Sequence, residues 1–266
     1  MKKMIALLLS VMMVFLAMAP AGAATYDELI ETVWSSYQAN NENAASAPQQ
    51  LVNGTYRTFE FAYLWAQKVN VYGLADTQLD TIFSSFQTMN ENATSAAQQA
   101  VNGSYRTFEM FYIIAQLLDE NGRADSQLDA IWSSYQSANE SAASASQQQV
   151  NGVYRTFEVL YIIAQLLDEH GRATSMLDSI WSSYQTANEN ATSAPQQIVN
   201  GTYRTFETLY IIAQLLDEHG RATGMLDSVW DIYQSSNESA TSAAQQQVNG
   251  AYRSVEALYI INNLLK

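Results

Sequence analysis

The sequence contains no cysteine, which excludes a lipid-modified lipoprotein start and any disulfide. Basic residues are also scarce, because 12 Lys and Arg stand against 26 Asp and Glu, for a formal net charge of −14. Such a surface repels phosphate backbones, so we expect no nucleic-acid partner. With no cysteine and only His170 and His219 as histidines, no metal-ligand spacing is present. We therefore expect no metal and no cofactor.

The first 24 residues have the pattern of a secretory signal peptide. Two lysines precede an apolar run from residue 4 to residue 19, and residues 21–23 read Ala-Gly-Ala. We expect cleavage near Ala23 or Ala24 and a secreted or periplasmic protein, with a short lysine-containing start typical of bacterial export. The alternative is an uncleaved anchor, although a span needs about 20 apolar residues. Losing the two lysines takes the net charge from −14 to −16, and no later stretch is long and apolar enough to span a membrane.

The rest of the chain repeats itself every 49 residues, five times. Each copy contains Val-Asn-Gly followed by Tyr-Arg, as at residues 150–155. A fixed period of about 20–50 residues is typical of stacked-repeat proteins. The repeats cover residues 27–75, 76–124, 125–173, 174–222 and 223–266.

The first half of each repeat predicts an amphipathic helix. In the third repeat Leu128, Ile131, Trp132 and Tyr135 form a single apolar stripe at helical spacing. The stripe is preceded in every copy by a residue whose side chain can accept a free backbone N–H, so we expect these residues to be N-caps. They are Asp27, Asp76, Asp125, Thr174 and Thr223.

The second half predicts another helix, which begins with a Ser-x-x-Gln capping box in all five copies, as at Ser144 and Gln147. Pro48 and Pro195 lie just inside, where a missing N–H costs little. A glycine ends this helix in four copies, in the position of a left-handed C-cap. These glycines are Gly73, Gly122, Gly171 and Gly220. The next helix follows after two residues, which forces the two to be antiparallel.

The Asn-Gly pair inside the second helix, Asn151-Gly152 in the third repeat, leaves two alternatives open. Either the helix is continuous and the glycine permits close helix contact, or it breaks there and Asn151 caps a third helix. We expect continuity, because the apolar spacing from Val150 to Tyr154 runs on across the glycine. The prediction is an all-α fold, a right-handed-type α-solenoid of five helical hairpins.

Charged residues form a repeated ladder along the second helix. An Arg and a Glu three positions later share one helix face in each copy. The ladder comprises Arg57, Glu60, Arg106, Glu109, Arg155, Glu158, Arg204, Glu207, Arg253 and Glu256. We expect a structural ion-pair network that binds repeat to repeat, and the alternative is a ladder that recognises a periodic ligand.

Aromatic and titratable residues suggest little chemistry. Trp occupies one column of the first helix in four copies, with Phe83 in the second, and we expect this column to be core rather than a sugar-stacking ladder. Each histidine precedes a helix-ending glycine, where a mild structural role suffices. No nucleophile has a basic partner nearby in sequence, so we expect no enzyme.

Positions where the copies differ are the first candidates for a binding surface. Repeats three and four differ at Gln149/Ile198, Val153/Thr202 and Val159/Thr208, and we expect these columns to face solvent or a groove. The first repeat adds an unusual apolar corner at Val71, Tyr72 and Leu74. We expect this corner to pack onto the second repeat, and the alternative is a docking patch.

The resulting function hypothesis is an exported, non-catalytic interaction scaffold for an unknown protein or peptide. It follows from repetition, because five near-copies offer one surface five times whereas a catalytic site converges once. A self-associating component of the cell envelope or matrix is one alternative, motivated by the apolar corner. A polysaccharide-binding surface is another, motivated by the aromatic residues.

Overall fold

The computed structural model describes residues 24–266, so the predicted signal peptide lies outside the described part except for Ala24. The described part contains ten helices and no strand. Odd-numbered helices form the first half of each repeat and even-numbered helices the second. Their bounds are α1 Tyr26–Asn43, α2 Ala47–Val69, α3 Asp76–Asn92, α4 Ala96–Leu118, α5 Asp125–Ser141, α6 Ala145–Leu167, α7 Thr174–Asn190, α8 Ala194–Leu216, α9 Thr223–Ser239 and α10 Ala243–Leu264.

The odd-numbered helices are capped differently from our prediction. Asp125 is the first residue of α5 rather than its N-cap, and the Ala124 carbonyl accepts the first helical bond from the Leu128 N–H. The carboxylate of Asp119, at the end of α4, accepts the N–H groups of Arg123 and Ala124 at 2.8 and 2.6 Å. The same arrangement recurs at Asp168 and Asp217, whereas the Asn70 side-chain oxygen accepts only the Ala75 N–H at the first turn. The predicted caps at Asp76, Thr174 and Thr223 are wrong by one residue for the same reason, and α1 begins one residue earlier still, before Asp27.

The even-numbered helices start where the sequence predicts but end earlier than predicted. Helix α4 ends at Leu118 with Asp119 as its C-cap, so Gly122 lies in the turn that follows rather than at the helix end, and the other three turns are alike. Ser95, Ser144 and Ser242 accept an N–H from the glutamine three positions on, whereas Ser46 and Ser193, which precede Pro48 and Pro195, form no side-chain cap bond. The glycines in these four turns, Gly73, Gly122, Gly171 and Gly220, all have positive φ, between 64° and 66°. That left-handed conformation is strained for other residues, which explains glycine at each turn.

Helix α6 is continuous across Asn151-Gly152, so two helices per repeat are confirmed. The Asn151 amide donates to the Ala138 carbonyl of α5 at 2.9 Å and so ties the two helices together. Gly152 meets the preceding repeat, since an added Cβ would lie 2.9 Å from the Ser104 Cβ. The equivalent glycines meet the equivalent residues in every repeat, which sets a close approach between even-numbered helices.

The array of helical hairpins is confirmed, and its two ends meet. Each even-numbered helix packs against the next, and α10 packs against α2. The even-numbered helices therefore form a closed inner ring of five parallel helices, with the odd-numbered helices outside it. We call these the inner and outer helices. The glycine contact also closes, because Gly54 lies against Ala251.

The closing seam uses residues that make the last repeat atypical. Asn262, fully buried, donates from Nδ2 to the Phe61 carbonyl at 3.3 Å and accepts from the Tyr26 hydroxyl at 2.7 Å. The Lys266 ammonium lies 3.5 Å from an Asp27 carboxylate oxygen. Ala occupies the Asn262 position in the other four repeats, as Ala66, Ala115, Ala164 and Ala213. The polar contacts of Asn262 and Lys266 join the first repeat to the last.

The core lies between the two rings of helices and continues across every seam. Phe108 of α4 stacks on Trp132 and packs on Tyr135 of the following repeat, at ring distances of 5.8 and 4.1 Å. No helix in the described part is long and apolar enough to cross a bilayer. The expectation that the first-repeat corner packs internally is wrong, because Val71, Tyr72 and Leu74 are 76%, 86% and 78% exposed.

Candidate functional site

Grooves run down the outside of the ring between neighbouring outer helices. At the second seam, a groove of about 450 Å³ lies between α3 and α5, with α4 as its floor. A groove of about 380 Å³ lies between α7 and α9, over α8. The near walls carry small hydroxyl side chains, Thr77 and Thr81 in the first groove and Ser175 and Ser179 in the second. The floors carry the Arg–Glu ladder.

An aromatic pair in close contact stands at every seam of the ring, stacked at the closing seam and tilted by 36–40° at the other four. Tyr112 of α4 packs on Trp132 of α5 with ring centroids 4.7 Å apart, and both side chains line the groove. The equivalent pairs have centroid distances between 4.4 and 4.8 Å. They are Tyr63–Phe83, Tyr161–Trp181, Tyr210–Trp230 and, across the closing seam, Tyr259–Trp34. These Trp side chains are half-buried, so the predicted core column also forms part of the outer surface.

A carboxylate accompanies each aromatic pair, one helical turn before the Trp or Phe. The Tyr161 hydroxyl donates to Asp178 at 3.4 Å, and the Tyr259 hydroxyl donates to Glu31 at 3.0 Å. Burial and then the Asp129 charge raise the pKa of Tyr112. All five positions of this column are acidic: Glu31, Asp80, Asp129, Asp178 and Asp227.

The Arg–Glu ladder forms an ion pair inside each repeat rather than between repeats. Arg106 Nη1 lies 2.5 Å from Glu109 Oε2, and the same pair occurs in the other four copies. The expected network from repeat to repeat is therefore not formed by these contacts. Arg57 and Glu60 are buried, and the other pairs are partly exposed at the groove floors. Burial raises the pKa of Glu109 although Arg106 acts to lower it.

A second cavity lies on the ring axis and is lined by all five inner helices. Its volume of about 60 Å³ gives room for a few water molecules. One layer consists of five hydroxyl side chains: Thr58, Thr107, Thr156, Thr205 and Ser254. Thr58, Thr156 and Ser254 donate to the carbonyl four residues back, whereas the buried hydroxyls of Thr107 and Thr205 have no partner among the described residues.

The variable columns lie inside the ring. Gln149, Val153 and Thr202 line the axial cavity, Ile198 is 4% exposed, and Val159 and Thr208 are fully buried. The expectation that these columns face solvent or a groove is thus wrong for Ile198, Val159 and Thr208, because every inner helix is surrounded by two inner neighbours and outer helices.

A recess of about 590 Å³ opens where the inner helices of the middle repeats end. Glu120, Glu169, His170 and Arg172 stand around it, above leucines of the same helices. His170 and His219 are exposed. The described residues contain no cluster of three or more His, Asp or Glu that could hold a metal ion.

Sequence reasoning missed the combination of Tyr and acid with Trp, or with Phe83 at the first seam, that occurs at each seam. The signal was present, because the acidic column is invariant across the five copies and lies three residues before the Trp column. The Tyr is contributed by the previous repeat, 20 residues earlier in the chain, so the trio becomes visible only when neighbouring repeats are packed. Reading one repeat at a time hides it.

Comparison with protein-family models, with curated proteins and with solved structures gave no match. The function of the chain is therefore argued from the grooves and the ring that carries them.

Proposed function

We propose that the protein is an exported, non-catalytic scaffold that binds a protein or peptide along its outer wall. The observation that carries the proposal is the outer seam itself, because the same aromatic pair and carboxylate recur five times around a closed ring. Export is supported by the lysines and apolar run at the start of the chain. Five equivalent weak sites on one rigid body favour a partner with several matching segments, since linked contacts add avidity.

The groove dimensions support a peptide side chain as the bound element. A volume of about 450 Å³ lies within the range of small-ligand pockets, about 300–1,000 Å³. Its lining combines aromatic faces with hydroxyl and amide groups, which is the composition of peptide-binding surfaces. The aromatic pairs are held by the core on one side, so the surface is preorganised.

A random peptide library selected on the mature chain tests the proposal. We expect enriched peptides whose binding is lost when Thr81→Trp and Ser179→Trp fill two grooves from exposed positions that line them. Ser84→Trp and Ser182→Trp are matched controls, because both serines are exposed on the same helices and do not line those grooves. Enriched peptides that bind the filled and control rings equally would contradict the proposal, as would no enrichment at all.

The aromatic pairs also favour a second candidate, a polysaccharide whose sugar rings stack on Trp and Tyr. A glycan array decides between the two. Binding to a glycan that is lost in the groove-filled variants and kept in the control variants would favour a polysaccharide ligand over a peptide. If no glycan on the array binds, the polysaccharide candidate is excluded.

The exposed corner at Val71, Tyr72 and Leu74 favours self-association as a third candidate. Light scattering across a concentration series tests self-association, and the double variant Tyr72→Ser, Leu74→Ser serves as the comparison. A ring that stays monomeric at the highest concentration would exclude this function.

A further inference from the structure

We infer that each outer groove binds a cationic side chain, arginine or lysine, between the aromatic pair and the carboxylate beside it. This inference rests on the proposed function and names its ligand: a basic peptide segment that presents several such side chains. The chemical class is an organic cation carried on a peptide.

The first observation that supports a cationic ligand is the negative charge of the outer wall. The five outer helices contain fifteen Asp and Glu residues and no Lys, Arg or His. The basic residues of the described part lie elsewhere, on the inner helices, in the turns that follow them, and at the chain end. Because the wall is acidic around its whole circumference, it attracts a basic partner and repels an acidic one.

The groove floor does not cancel this charge. Arg106 and Glu109 pair with each other, so the ladder contributes no net charge at the second seam. The unpaired charge comes from the acidic column beside the groove, where Asp129 is exposed. After burial, the Asp129 charge is the next cause that raises the pKa of Tyr112, which lines the groove. A cation on the aromatic rings therefore also feels the charge of this carboxylate.

The third seam shows the most detailed version of this site. Asp178 accepts from the Tyr161 hydroxyl, and it lines a recess of about 160 Å³ together with Asp168 and Gln165. No basic residue lines that recess. The Asp178 carboxylate thus joins the Tyr161–Trp181 pair through the tyrosine hydroxyl on one side and faces this recess on the other. A carboxylate beside aromatic rings is a surrounding that favours a guanidinium or ammonium group.

The molecule already contains one cation placed on an aromatic ring. The Lys68 ammonium lies 5.0 Å from the centre of the Tyr26 ring, at the first repeat. Exposed cation–π contacts contribute about 0.5–1 kcal/mol each, and more where water is excluded. A groove wall of Tyr and Trp beside a carboxylate adds charge attraction to that contact.

Two peptides of identical shape test the inference: alternating arginine and serine, and its counterpart with citrulline for arginine. In titrations at about 20 mM salt we expect the arginine peptide to bind at least roughly tenfold more tightly, and to weaken as salt rises. We expect the indole N–H resonances of Trp34, Trp132, Trp181 and Trp230 to shift. Trp65 is the internal control, because it is 1% exposed in the core and lies in no groove.

Two charge-matched triple variants separate the groove from general acidity. Asp129→Asn, Asp178→Asn and Asp227→Asn should together weaken the arginine peptide several-fold. Glu140→Gln, Glu189→Gln and Glu238→Gln remove the same charge from exposed positions at the far ends of the same helices and should leave its affinity within about twofold. Asp129→Glu should bind normally, since Glu31 occupies that column in the first repeat.

The outcomes separate this inference from the proposed function. Equal affinity for the arginine and citrulline peptides, or equal weakening by both triple variants, would overturn the cation site. If the random library nevertheless yields groove-dependent peptides that are neutral or acidic, the scaffold stands and only its ligand class is wrong. If no peptide depends on the grooves, both fail.

Discussion

Single side chains in the axial cavity differ in how well their hydroxyl groups are satisfied. Thr107 and Thr156 occupy the same position in neighbouring repeats, and both are 4% exposed. The Thr156 hydroxyl donates to the Gly152 carbonyl at 2.8 Å, whereas the Thr107 hydroxyl has no partner among the described residues. Burying an unpaired hydroxyl is unfavourable, so Thr107 and Thr156 contribute unequally to the free energy of unfolding.

We therefore expect Thr107→Val to leave the free energy of unfolding unchanged or raise it. Thr156→Val should lower it by about 1 kcal/mol, because a formed hydrogen bond is lost. Chemical denaturation of both variants measures the difference. Equal destabilisation by the two substitutions would show that the Thr107 hydroxyl is satisfied, for example by a bound ligand or water in the cavity.

The sequence predicted a capping residue correctly only where the cap bonds to backbone groups of its own helix. The Ser-x-x-Gln boxes and the left-handed glycines depend on neighbours within a few positions, and the sequence displays them. The outer-helix caps were misplaced because Asp119 acts from the end of the previous helix, across the turn. The Asp125 side chain looked equally suitable, and composition does not distinguish the two.

Helix packing in the inner ring depends on the glycine inside each inner helix. An Ala at Gly152 would place its Cβ 2.9 Å from the Ser104 Cβ and 3.3 Å from the Ser104 carbonyl carbon. The second of these is backbone, which cannot rotate away. The gain in helix propensity, about 1 kcal/mol, is therefore opposed by steric strain between two inner helices.

We expect Gly152→Ala to lower the free energy of unfolding by about 1–3 kcal/mol despite its better helix propensity. Gly224→Ala is the matched control, because nothing lies within 4 Å of the added Cβ on outer helix α9. It should be neutral or stabilising, by up to about 1 kcal/mol. Thermal unfolding of both variants checks the contrast, and a stabilising Gly152→Ala would mean that the inner helices are further apart than described.

The helix pattern was predictable from the period, but the contacts between helices were not. Apolar spacing identified all ten helices, and continuity across Asn-Gly followed from the same spacing. The groove trio was hidden because Tyr112 meets a Trp from the next repeat. Closure of the ring was not predictable, because curvature depends on small rotations between repeats that no single residue determines. The unusual Asn262 was the one residue in the sequence that closure explains.

The alkaline stability of the whole ring should depend on a column of five equivalent tyrosines, of which four have a buried hydroxyl without a partner among the described residues. Burial raises the pKa of Tyr105, Tyr154, Tyr203 and Tyr252 to about 12. An unfolded tyrosine ionises near pH 10, so folding favours the neutral phenol. The stability that these groups contribute is present below about pH 10 and is lost as the pH rises towards 12.

We expect cooperative unfolding between about pH 10 and pH 12, accompanied by tyrosinate absorbance. These four hydroxyl groups are buried and have no partner in the described part of the chain, so a fourfold Tyr→Phe variant should keep its stability at neutral pH and resist alkali better. Circular dichroism against pH measures both chains. Unfolding of the variant at the same alkaline pH as the parent would exclude these tyrosines as the cause.

The contact of Gly54 with Ala251 and the buried Asn262 at the last seam make the number of repeats part of the fold. In an open array, a duplicated or deleted copy lengthens or shortens the molecule and leaves the remaining interfaces intact. In this ring, a sixth copy would widen the axial cavity around the layer of hydroxyl side chains. A ring of only four copies would narrow that cavity. Adding or removing one copy should therefore disturb every interface of the inner ring rather than only those next to the change. The same closure makes the seam between α10 and α2 equivalent to the four seams that a turn joins, so circularly permuted chains opened at one of those turns should fold to the same ring.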